Sequence, residues 1–293
     1  MNQATLLRCL LLLSAFLLTH SNNADAAQSY DNCTGFITSI PAVISTQGTW
    51  CMKQDLATAM SSGVAITIAA NNVTIDCNDY KLGGLAAGVG TAADGIYALD
   101  RFNATVRHCN VRGFLFGLLL DATSASSSGG HLVEDNRFDG NTYVGMHVKG
   151  DGSLIQRNRV FDTGGSTSGI HAFGIVADFG ADILNNSVSG VLARAGGNGS
   201  ALGISVEYAT YGKVVGNSVY GLEKDGSGAV YGIYASYGNS VRIAIHDNDI
   251  VGDGATGTGV TCFSATSRVR TNTISAFASG VLGCTDDGNI ISP

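Results

Sequence analysis

The sequence predicts an all-β fold, a right-handed parallel β-helix of about 8–10 coils. A Gly-aliphatic pair recurs at intervals of 21 to 29 residues, and an Asn series recurs in parallel with it. Between them lie short β-branched runs, separated by Gly, Asn, Ser and Asp, that alternate with a period of two. A unit this small cannot bury its own apolar face, so successive units must stack on one another.

The first 26 residues have the pattern of a secretory signal peptide. Arg8 precedes the apolar run CLLLLSAFLL (9–18), and Ala24-Asp25-Ala26 supplies small residues for cleavage. The run is too short for a comfortable membrane span, and no second run follows it. We therefore expect a secreted or periplasmic protein of bacterial type, with no membrane span after signal removal. An N-terminal membrane anchor is the alternative.

The composition narrows the class of protein. The formal net charge is −7, which argues against a nucleic-acid partner because phosphate binding needs a basic stripe. Hydrophobic residues make up 45% and charged residues 13%, too apolar a mixture for a disordered chain. We expect a folded monomer.

Six cysteines remain once Cys9 is removed with the signal, and an even number in an exported protein predicts disulfides. Their positions favour the local pairs Cys33–Cys51, Cys77–Cys109 and Cys262–Cys284, although the connectivity is formally open. The last two pairs are offset by one residue from the repeat frame, so we expect a local bulge that corrects the register.

The Gly-aliphatic series defines the strands of one sheet. Its glycines are Gly95, Gly117, Gly145, Gly174, Gly203, Gly232, Gly259 and Gly280. We assign residues 27–60 to an N-terminal capping segment and first coil, and residues 61–293 to the parallel β-helix.

The Asn series predicts an inward-facing ladder at one bend of each coil. Its members are Asn136, Asn158, Asn186, Asn217, Asn248 and Asn272, with Asn78 and Cys109 in the same place in earlier repeats. An inward Asn can bond backbone groups that the turn leaves unpaired, and also the Asn of the next coil. A leucine-rich repeat has a similar period, but it needs several leucines at fixed positions, which this chain lacks.

Several segments carry a resemblance to a known family. They are TSIPAVISTQGTWCMKQDLA (38–57), NNVTIDCNDYKLGG (71–84), NATVRHCNVRGF (103–114) and HLVEDNRFDGN (131–141). The chain resembles the exported right-handed β-helix repeat proteins of the pectin-lyase-like superfamily. These motifs specify coils and not chemistry. In enzymes of that superfamily the site usually lies along the outer face of one parallel sheet.

Two columns of side chains are predicted on that face, because the second and fourth residues after each Gly point outward. The second-position column is Tyr97, Leu119, His147, Val176, Ser205, Tyr234 and Thr261. The fourth-position column is Leu99, Asp121, Lys149, Asp178, Glu207, Ser236 and Phe263.

The charged column has two interpretations. In the first it is a solvated ion ladder in which Lys149 bridges carboxylates for a few tenths of a kcal/mol. In the second, Asp178 and Glu207 repel each other unless a cation such as Ca²⁺ lies between them. The flanking carboxylates raise the pKa of Lys149, which works against its use as a base.

The resemblance implies roles for these side chains in a β-helix lyase, in which Ca²⁺ binds a uronate carboxylate and a basic residue abstracts the α-proton. The catalytic residues would be Lys149 and His147. Substrate contacts would come from Tyr234, Ser205 and Asp121, and the Ca²⁺ ligands would be Asp178 and Glu207.

The functional prediction is an exported protein that binds or cleaves an acidic polysaccharide, by Ca²⁺-assisted β-elimination if it is an enzyme. One alternative is a non-catalytic glycan-binding or structural envelope protein. A second is a carbohydrate hydrolase or an esterase with Ser205 and His147, although the sequence has no Gly-x-Ser-x-Gly turn. The site motifs of polygalacturonases and mannuronan epimerases are also missing from the sequence, so catalysis itself stays open.

Overall fold

The computed structural model describes residues 30–237, 241–254 and 256–292. The chain divides into two compact units, Met1–Asn32 and Cys33–Pro293, and all the strands that the structure describes lie in the second. The predicted signal peptide lies outside the described residues. No helix within the described ranges is long and apolar enough to cross a membrane.

Three parallel sheets build the second unit. Sheet 1 contains β1 (Gly35–Ile37), β3 (Gly48–Met52), β6 (Val73–Asp76), β9 (Thr105–Arg107), β12 (Leu132–Glu134), β15 (Leu154–Gln156), β18 (Asp182–Leu184), β21 (Gly212–Val215), β24 (Ile243–His246), β27 (Arg268–Arg270) and β30 (Thr285–Asp287).

Sheet 2 carries the Gly-aliphatic strands. It contains β2 (Ala42–Ile44), β5 (Ser62–Ile68), β8 (Ala92–Leu99), β11 (Phe116–Asp121), β14 (Val144–Lys149), β17 (Ala172–Asp178), β20 (Ala201–Glu207), β23 (Val230–Tyr237), β26 (Thr258–Cys262) and β29 (Ser279–Leu282).

Sheet 3 completes each coil. It contains β4 (Leu56–Ala57), β7 (Lys81–Gly83), β10 (Asn110–Arg112), β13 (Arg137–Asp139), β16 (Arg159–Gly164), β19 (Ser187–Leu192), β22 (Ser218–Glu223), β25 (Asp249–Val251), β28 (Thr273–Ser275) and β31 (Ile290–Ser292). A 3₁₀ turn covers Leu85–Ala87.

From β4 to β31, strands three apart along the chain are neighbours in one sheet, so each coil contributes one strand to every sheet. The predicted all-β parallel solenoid is confirmed. The assignment of 27–60 to a cap and first coil, and of 61–293 to the β-helix, stays a prediction.

The recurring Gly has a steric cause. A Cβ at Gly117 would lie 2.5 Å from the carbonyl oxygen of Gly145 in the next coil and 2.9 Å from the inward ring of Phe138. A side chain there would therefore force the coils apart. The following residue is also inward, as Leu118 is fully buried. Two successive inward positions mean that the strand is bulged at the Gly.

The Asn ladder is present. The Nδ2 group of Asn136 donates to Oδ1 of Asn158 at 2.9 Å and to the carbonyl of Val106 at 2.9 Å, and the same pattern continues to Asn289. Each ladder residue follows a residue with positive φ, such as Asp135 at 54°, which turns the next side chain inward. Burying a hydrogen-bonded amide avoids the cost of an unpaired one.

The two earlier ladder members have different outcomes. The backbone amide of Cys109 donates to Oδ1 of Asn136 at 3.0 Å, so Cys109 does occupy the ladder position. Asn78 does not. It has a φ of 48° and donates to the carbonyl of Met52, and the residue that meets Cys109 is Cys77. The disulfide replaces the amide pair at the start of the ladder.

All three predicted disulfides are present: Cys33–Cys51, Cys77–Cys109 and Cys262–Cys284. In the last two the expected register correction comes from a residue with positive φ directly before the second cysteine. These residues are His108 at 50° and Gly283 at 75°. The left-handed turn moves the following side chain by one position, which brings the sulfur atoms together.

Candidate functional site

The outer face of sheet 2 carries three columns of side chains, not two. Because the strand is bulged at each Gly, the residue before the Gly also points outward. This additional column includes Phe116, Val144, Phe173, Leu202 and Tyr231, in register from strand to strand. Sequence reasoning missed it by assuming regular alternation. The signal was an aromatic residue directly before three of the glycines.

The other two columns follow the predicted register over most of their length. The second-position residues pair in order from Tyr97 to Thr261. In the fourth-position column Lys149 pairs with Asp178, and Asp178 with Glu207. The prediction that Ser236 comes next is wrong. A register shift after Ser205 pairs Glu207 with Tyr237, because the two strands differ by one residue there.

A groove of about 550 Å³ lies across these columns. Its lining residues are Phe116, Tyr143, Val144, His147, His171, Phe173, Val176, Ser200, Leu202, Ser205, Glu207, Tyr231 and Tyr234. Of the predicted site residues, His147, Ser205, Glu207 and Tyr234 line the groove. Lys149, Asp121 and Asp178 belong to the adjoining charged column.

Aromatic rings line the groove in two contacting groups. The Tyr143 ring meets Phe116 and Phe173 edge-on, with both centroid distances 5.7 Å, and Tyr231 contacts Tyr234 at 4.7 Å. Ring pairs of this kind stabilise one another and hold their faces in fixed positions. The groove therefore offers rigid apolar surface beside polar groups.

His147 and Asp178 face each other below the groove. Nε2 of His147 lies 3.3 Å from Oδ1 of Asp178, and the side chains are only 15% and 4% exposed. The angles between them do not make a hydrogen bond, so the contact is electrostatic. His147 and Ser205 lie two strands apart in the same column, because Val176 on the strand between them pairs with both. Neighbouring strands, or rungs of the solenoid, are about 4.8 Å apart, so the two backbones are about 10 Å apart. A Ser-His pair is therefore not assembled.

Glu207 is a half-buried carboxyl group at the edge of the groove. Burial, followed by the negative charge of Asp178, raises its pKa above the ordinary value for Glu. A hydrogen bond from the hydroxyl of Ser205 at 3.0 Å, and the charges of His147 and Lys149, act in the opposite direction. The net effect keeps a proton on Glu207 to a higher pH than usual, as a general acid requires.

Lys149 forms an ion pair with Asp121, with 2.9 Å between Nζ and Oδ1. Burial lowers the pKa of Lys149, but the hydrogen bond and charge of Asp121 and the charges of Asp178 and Glu207 outweigh it and raise the pKa overall. A base must lose its proton, and this environment holds the proton in place.

A further carboxyl group, Asp94, lies at the N-terminal side of this face. Burial raises its pKa to about 6, a backbone hydrogen bond from Phe116 lowers it, and Asp121 raises it again. One of its oxygens is buried and has no hydrogen-bond partner among the described residues. The nearby Tyr97 hydroxyl also has a raised pKa, because of burial and then the charge of Asp121.

No group of three or more His, Cys, Asp or Glu in the described part of the chain is arranged to hold a metal ion. Asp178 and Glu207 are on adjacent rungs, as the Ca²⁺ hypothesis requires. Two carboxylates supply only part of the six to eight oxygens that Ca²⁺ prefers, so a ligand and water would have to supply the rest. The Ca²⁺ site stays a prediction.

Comparison with known proteins assigns the family. Residues 94–292 match the family described as right handed beta helix region. The chain belongs to this family. The match confirms the predicted handedness and the resemblance to β-helix repeat proteins. No curated protein sequence gave a significant match.

Solved structures share the solenoid at low identity. The Dettilon tailspike protein is 16% identical with a TM-score of 0.40, and the match covers 84% of this β-helix chain and 60% of the tailspike chain. PfbA, a surface adhesin of Streptococcus pneumoniae, is 10% identical with a TM-score of 0.36, and the match covers 88% of this chain and 83% of the adhesin chain. The A-module of a mannuronan C-5 epimerase from Azotobacter vinelandii is 13% identical with a TM-score of 0.34, and the match covers 89% of this chain and 91% of the A-module. These likenesses show the fold alone.

Proposed function

We propose that this β-helix protein binds a polysaccharide in the groove of sheet 2, outside the cytoplasm, and that Glu207 acts there as a general acid. The observation that carries the proposal is the placement of a half-buried carboxyl group with a raised pKa beside the aromatic rings that line the groove. Three disulfides support an oxidising compartment.

The lining suits a sugar because a pyranose ring has an apolar face of C–H groups and a rim of hydroxyls. Tyr231, Tyr234 and Phe173 offer ring faces and edges to the apolar side. His171 and Ser200 offer polar atoms to hydroxyls. A polymer parallel to the solenoid axis places successive sugars over successive rungs, about 4.8 Å apart.

The chemistry that follows is acid-assisted cleavage of a glycosidic bond. Glu207 would donate its proton to the leaving oxygen as the glycosidic C–O bond breaks, and burial, followed by the charge of Asp178 on the adjacent strand, favours the protonated form. Water would add to the anomeric carbon, and the proton that it loses would restore Glu207. Glycosidases ordinarily use a pair of carboxyl groups that flank the scissile bond. A general acid at Glu207 favours hydrolysis over elimination. Elimination would need Lys149 to act as a base, and its neighbours raise its pKa.

An acidic polysaccharide remains a candidate substrate under one condition. Asp121, Asp178 and Glu207 outnumber Lys149 on this face, so uronate groups would be repelled unless a cation screens them. Ca²⁺ between Asp178 and Glu207 would provide that screening. The Ca²⁺-assisted interpretation therefore requires binding that depends on the ion.

The test is a screen of purified protein against neutral and uronate polymers, each with Ca²⁺ and with EDTA. New reducing ends report hydrolysis, and ultraviolet absorbance of unsaturated products reports elimination. We expect reducing ends without unsaturated products, and loss of them in Glu207→Gln. The matched control is Glu223→Gln, which changes an exposed glutamate on sheet 3.

Each outcome of the screen has one meaning. Unsaturated products that require Ca²⁺ would replace the hydrolase assignment with the lyase one. Polymer binding with no product would leave a glycan-binding protein without catalysis. Absence of binding to every polymer would contradict the proposal.

A further inference from the structure

A basic surface lies on the outer face of sheet 3, away from the groove. Arg112, Arg137 and Arg159 project from three successive strands, β10, β13 and β16. Arg137 and Arg159 are directly paired across neighbouring rungs and are both exposed. We call Arg112, Arg137 and Arg159, together with Asp139 and Phe161, the arginine face. It is a positive surface on a chain whose net charge is −7.

One buried carboxylate organises the arginine face. Asp139 is 8% exposed and accepts hydrogen bonds from Nε and a terminal nitrogen of Arg137, at 3.0 and 2.8 Å on Oδ2. Nε of Arg112 lies 2.9 Å from Oδ1, as an ion pair without hydrogen-bond angles. One negative charge thus fixes two guanidinium groups and leaves one net positive charge.

The rest of the arginine face adds charge and a flat apolar surface. Arg159, one rung beyond Arg137, makes no ion pair with any residue that the structure describes, so its charge is uncompensated. The guanidinium of Arg137 lies over the ring of Phe161, 4.3 Å from its centroid. A cation on an aromatic face is held in one orientation while its remaining N–H groups stay available.

We propose that the arginine face binds an anionic polysaccharide, as a second glycan site separate from the groove. Carboxylate or sulfate groups on the polymer would accept hydrogen bonds from the free N–H groups of Arg137 and from Arg159. Guanidinium groups suit these anions because two parallel N–H donors match two oxygens.

The geometry favours a polysaccharide over other polyanions. Beyond Arg159 the same column continues with Ser187 and Ser218 and then Asp249, so the positive charge ends after a short stretch. A duplex or a lipid surface presents dense phosphate over a wide area and needs a broad basic footprint. A few anionic groups spaced along one chain match a few arginines spaced by rungs.

The test measures binding of polygalacturonate to the full protein by calorimetry at low salt. We expect Arg137→Ala/Arg159→Ala to weaken binding at least about tenfold, or about 1.4 kcal/mol in the free energy of binding, because two guanidinium groups that would pair with the anions are lost. Arg159→Ala alone, which disturbs no described ion pair, should weaken binding by a smaller factor. Arg268→Ala/Arg270→Ala removes the same charge from exposed positions of sheet 1 and should leave binding unchanged.

Equal losses in the two double variants would overturn the proposal, because only net charge would then matter. No loss in Arg137→Ala/Arg159→Ala would overturn it as well. Duplex DNA and phosphatidylserine vesicles serve as the other polyanions, and binding to either as tight as to polygalacturonate would contradict a polysaccharide site. Turnover in the groove is recorded separately, so this test fails or succeeds independently of Glu207.

Discussion

Two aspartates on different faces of the solenoid, Asp139 buried and Asp94 half-buried, have opposite electrostatic surroundings. Asp139 on sheet 3 is clamped by two arginines, with nitrogen–oxygen distances of 2.8 to 3.0 Å. Asp94 on sheet 2 forms no ion pair with any described residue, has one buried oxygen without a hydrogen-bond partner among them, and has a pKa raised to about 6. Both aspartates lie on parallel strands of the solenoid, β8 and β13. They differ in the side chains nearby, which include two arginines at Asp139.

The contrast extends to the whole of each face. On sheet 3 the carboxylate serves to position positive charge at the surface. On sheet 2 carboxyl groups outnumber cations, and burial beside the groove raises the pKa of Glu207. A solenoid can thus present opposite surfaces from one repeat, since only outward positions change. The acidic face with its groove suits proton transfer, and the basic face suits docking of an anionic chain.

The largest effect is expected at Glu207. In Glu207→Gln the side chain can still accept the Ser205 hydrogen bond but cannot deliver a proton. We expect turnover on the cleaved polymer to fall by about 100-fold or more, the usual contribution of a general acid, with binding retained. Wild-type turnover should also fall as the pH rises through the pKa of Glu207. Turnover in Glu207→Gln equal to that of Glu223→Gln would rule out the assigned role.

The sequence predicted the solenoid, its disulfides and most of its register, because these depend on recurrence. The Gly-aliphatic pair and the inward Asn are repeated in most coils, so each copy supports the others. The outward column that contains Phe116 and Tyr231 was missed because a bulge at the Gly breaks simple alternation. The raised pKa of Glu207 was not predicted, because its first cause is burial, which the repeat pattern does not show, although the pairing of Glu207 with Asp178 was predicted.

The arginine face was not predicted from the sequence, for a related reason. Arg112, Arg137 and Arg159 are separated by 25 and 22 residues, and each is unremarkable in its own repeat. Only the pairing of β10, β13 and β16 brings Arg112 and Arg137 to one carboxylate and places Arg159 beside Arg137. Outward residues specify function without specifying the fold, so a repeat pattern carries little information about them.

The next effect concerns the stability of sheet 3. Asp139→Asn keeps the shape of the side chain but removes the charge that pairs with Arg112 and Arg137. We expect the free energy of unfolding at pH 7 to fall by about 1–3 kcal/mol, because hydrogen bonds to charged groups are lost and two guanidinium groups remain close together. Urea denaturation measures the change. An unaltered midpoint would mean that solvent already screens the cluster.

The matching substitution on sheet 2 should act in the opposite direction. The folded pKa of Asp94, about 6, is above the ordinary 3.8, so its contribution to stability is present at low pH and is lost as the pH rises through 6. Asp94→Asn cannot ionise and keeps an acceptor for the Phe116 amide. We expect it to stabilise the fold by about 1–2 kcal/mol at pH 8, allowing for partial exposure.

The control for Asp94→Asn is the same measurement at pH 4.5. The wild-type side chain is then protonated in the folded protein but still largely ionised in the unfolded chain, whose pKa is the ordinary 3.8, so the difference between the proteins should shrink to about a third without reaching zero. His131 is buried with a pKa lowered to about 4, and acid therefore weakens the fold between pH 6.5 and 4. That loss is common to both proteins and cancels. A stabilisation equal at both pH values would show that packing, and not ionisation, is responsible.

The smallest change in stability is expected from Lys149→Ala, and it bears on how the charged column of sheet 2 works. The Lys149–Asp121 pair is about one quarter exposed, so its loss should cost only a few tenths of a kcal/mol.

If Lys149 abstracts a proton, turnover should be abolished while the melting temperature is nearly intact. If Glu207 is the acid, Lys149→Ala should instead raise the pKa of Glu207, because one cation that favours its charged form is gone. The alkaline limb of the pH–rate profile should then move to higher pH with turnover retained. Measuring that profile in Lys149→Ala separates the two roles, since an inactive variant supports the lysine as base and a shifted profile supports the glutamic acid.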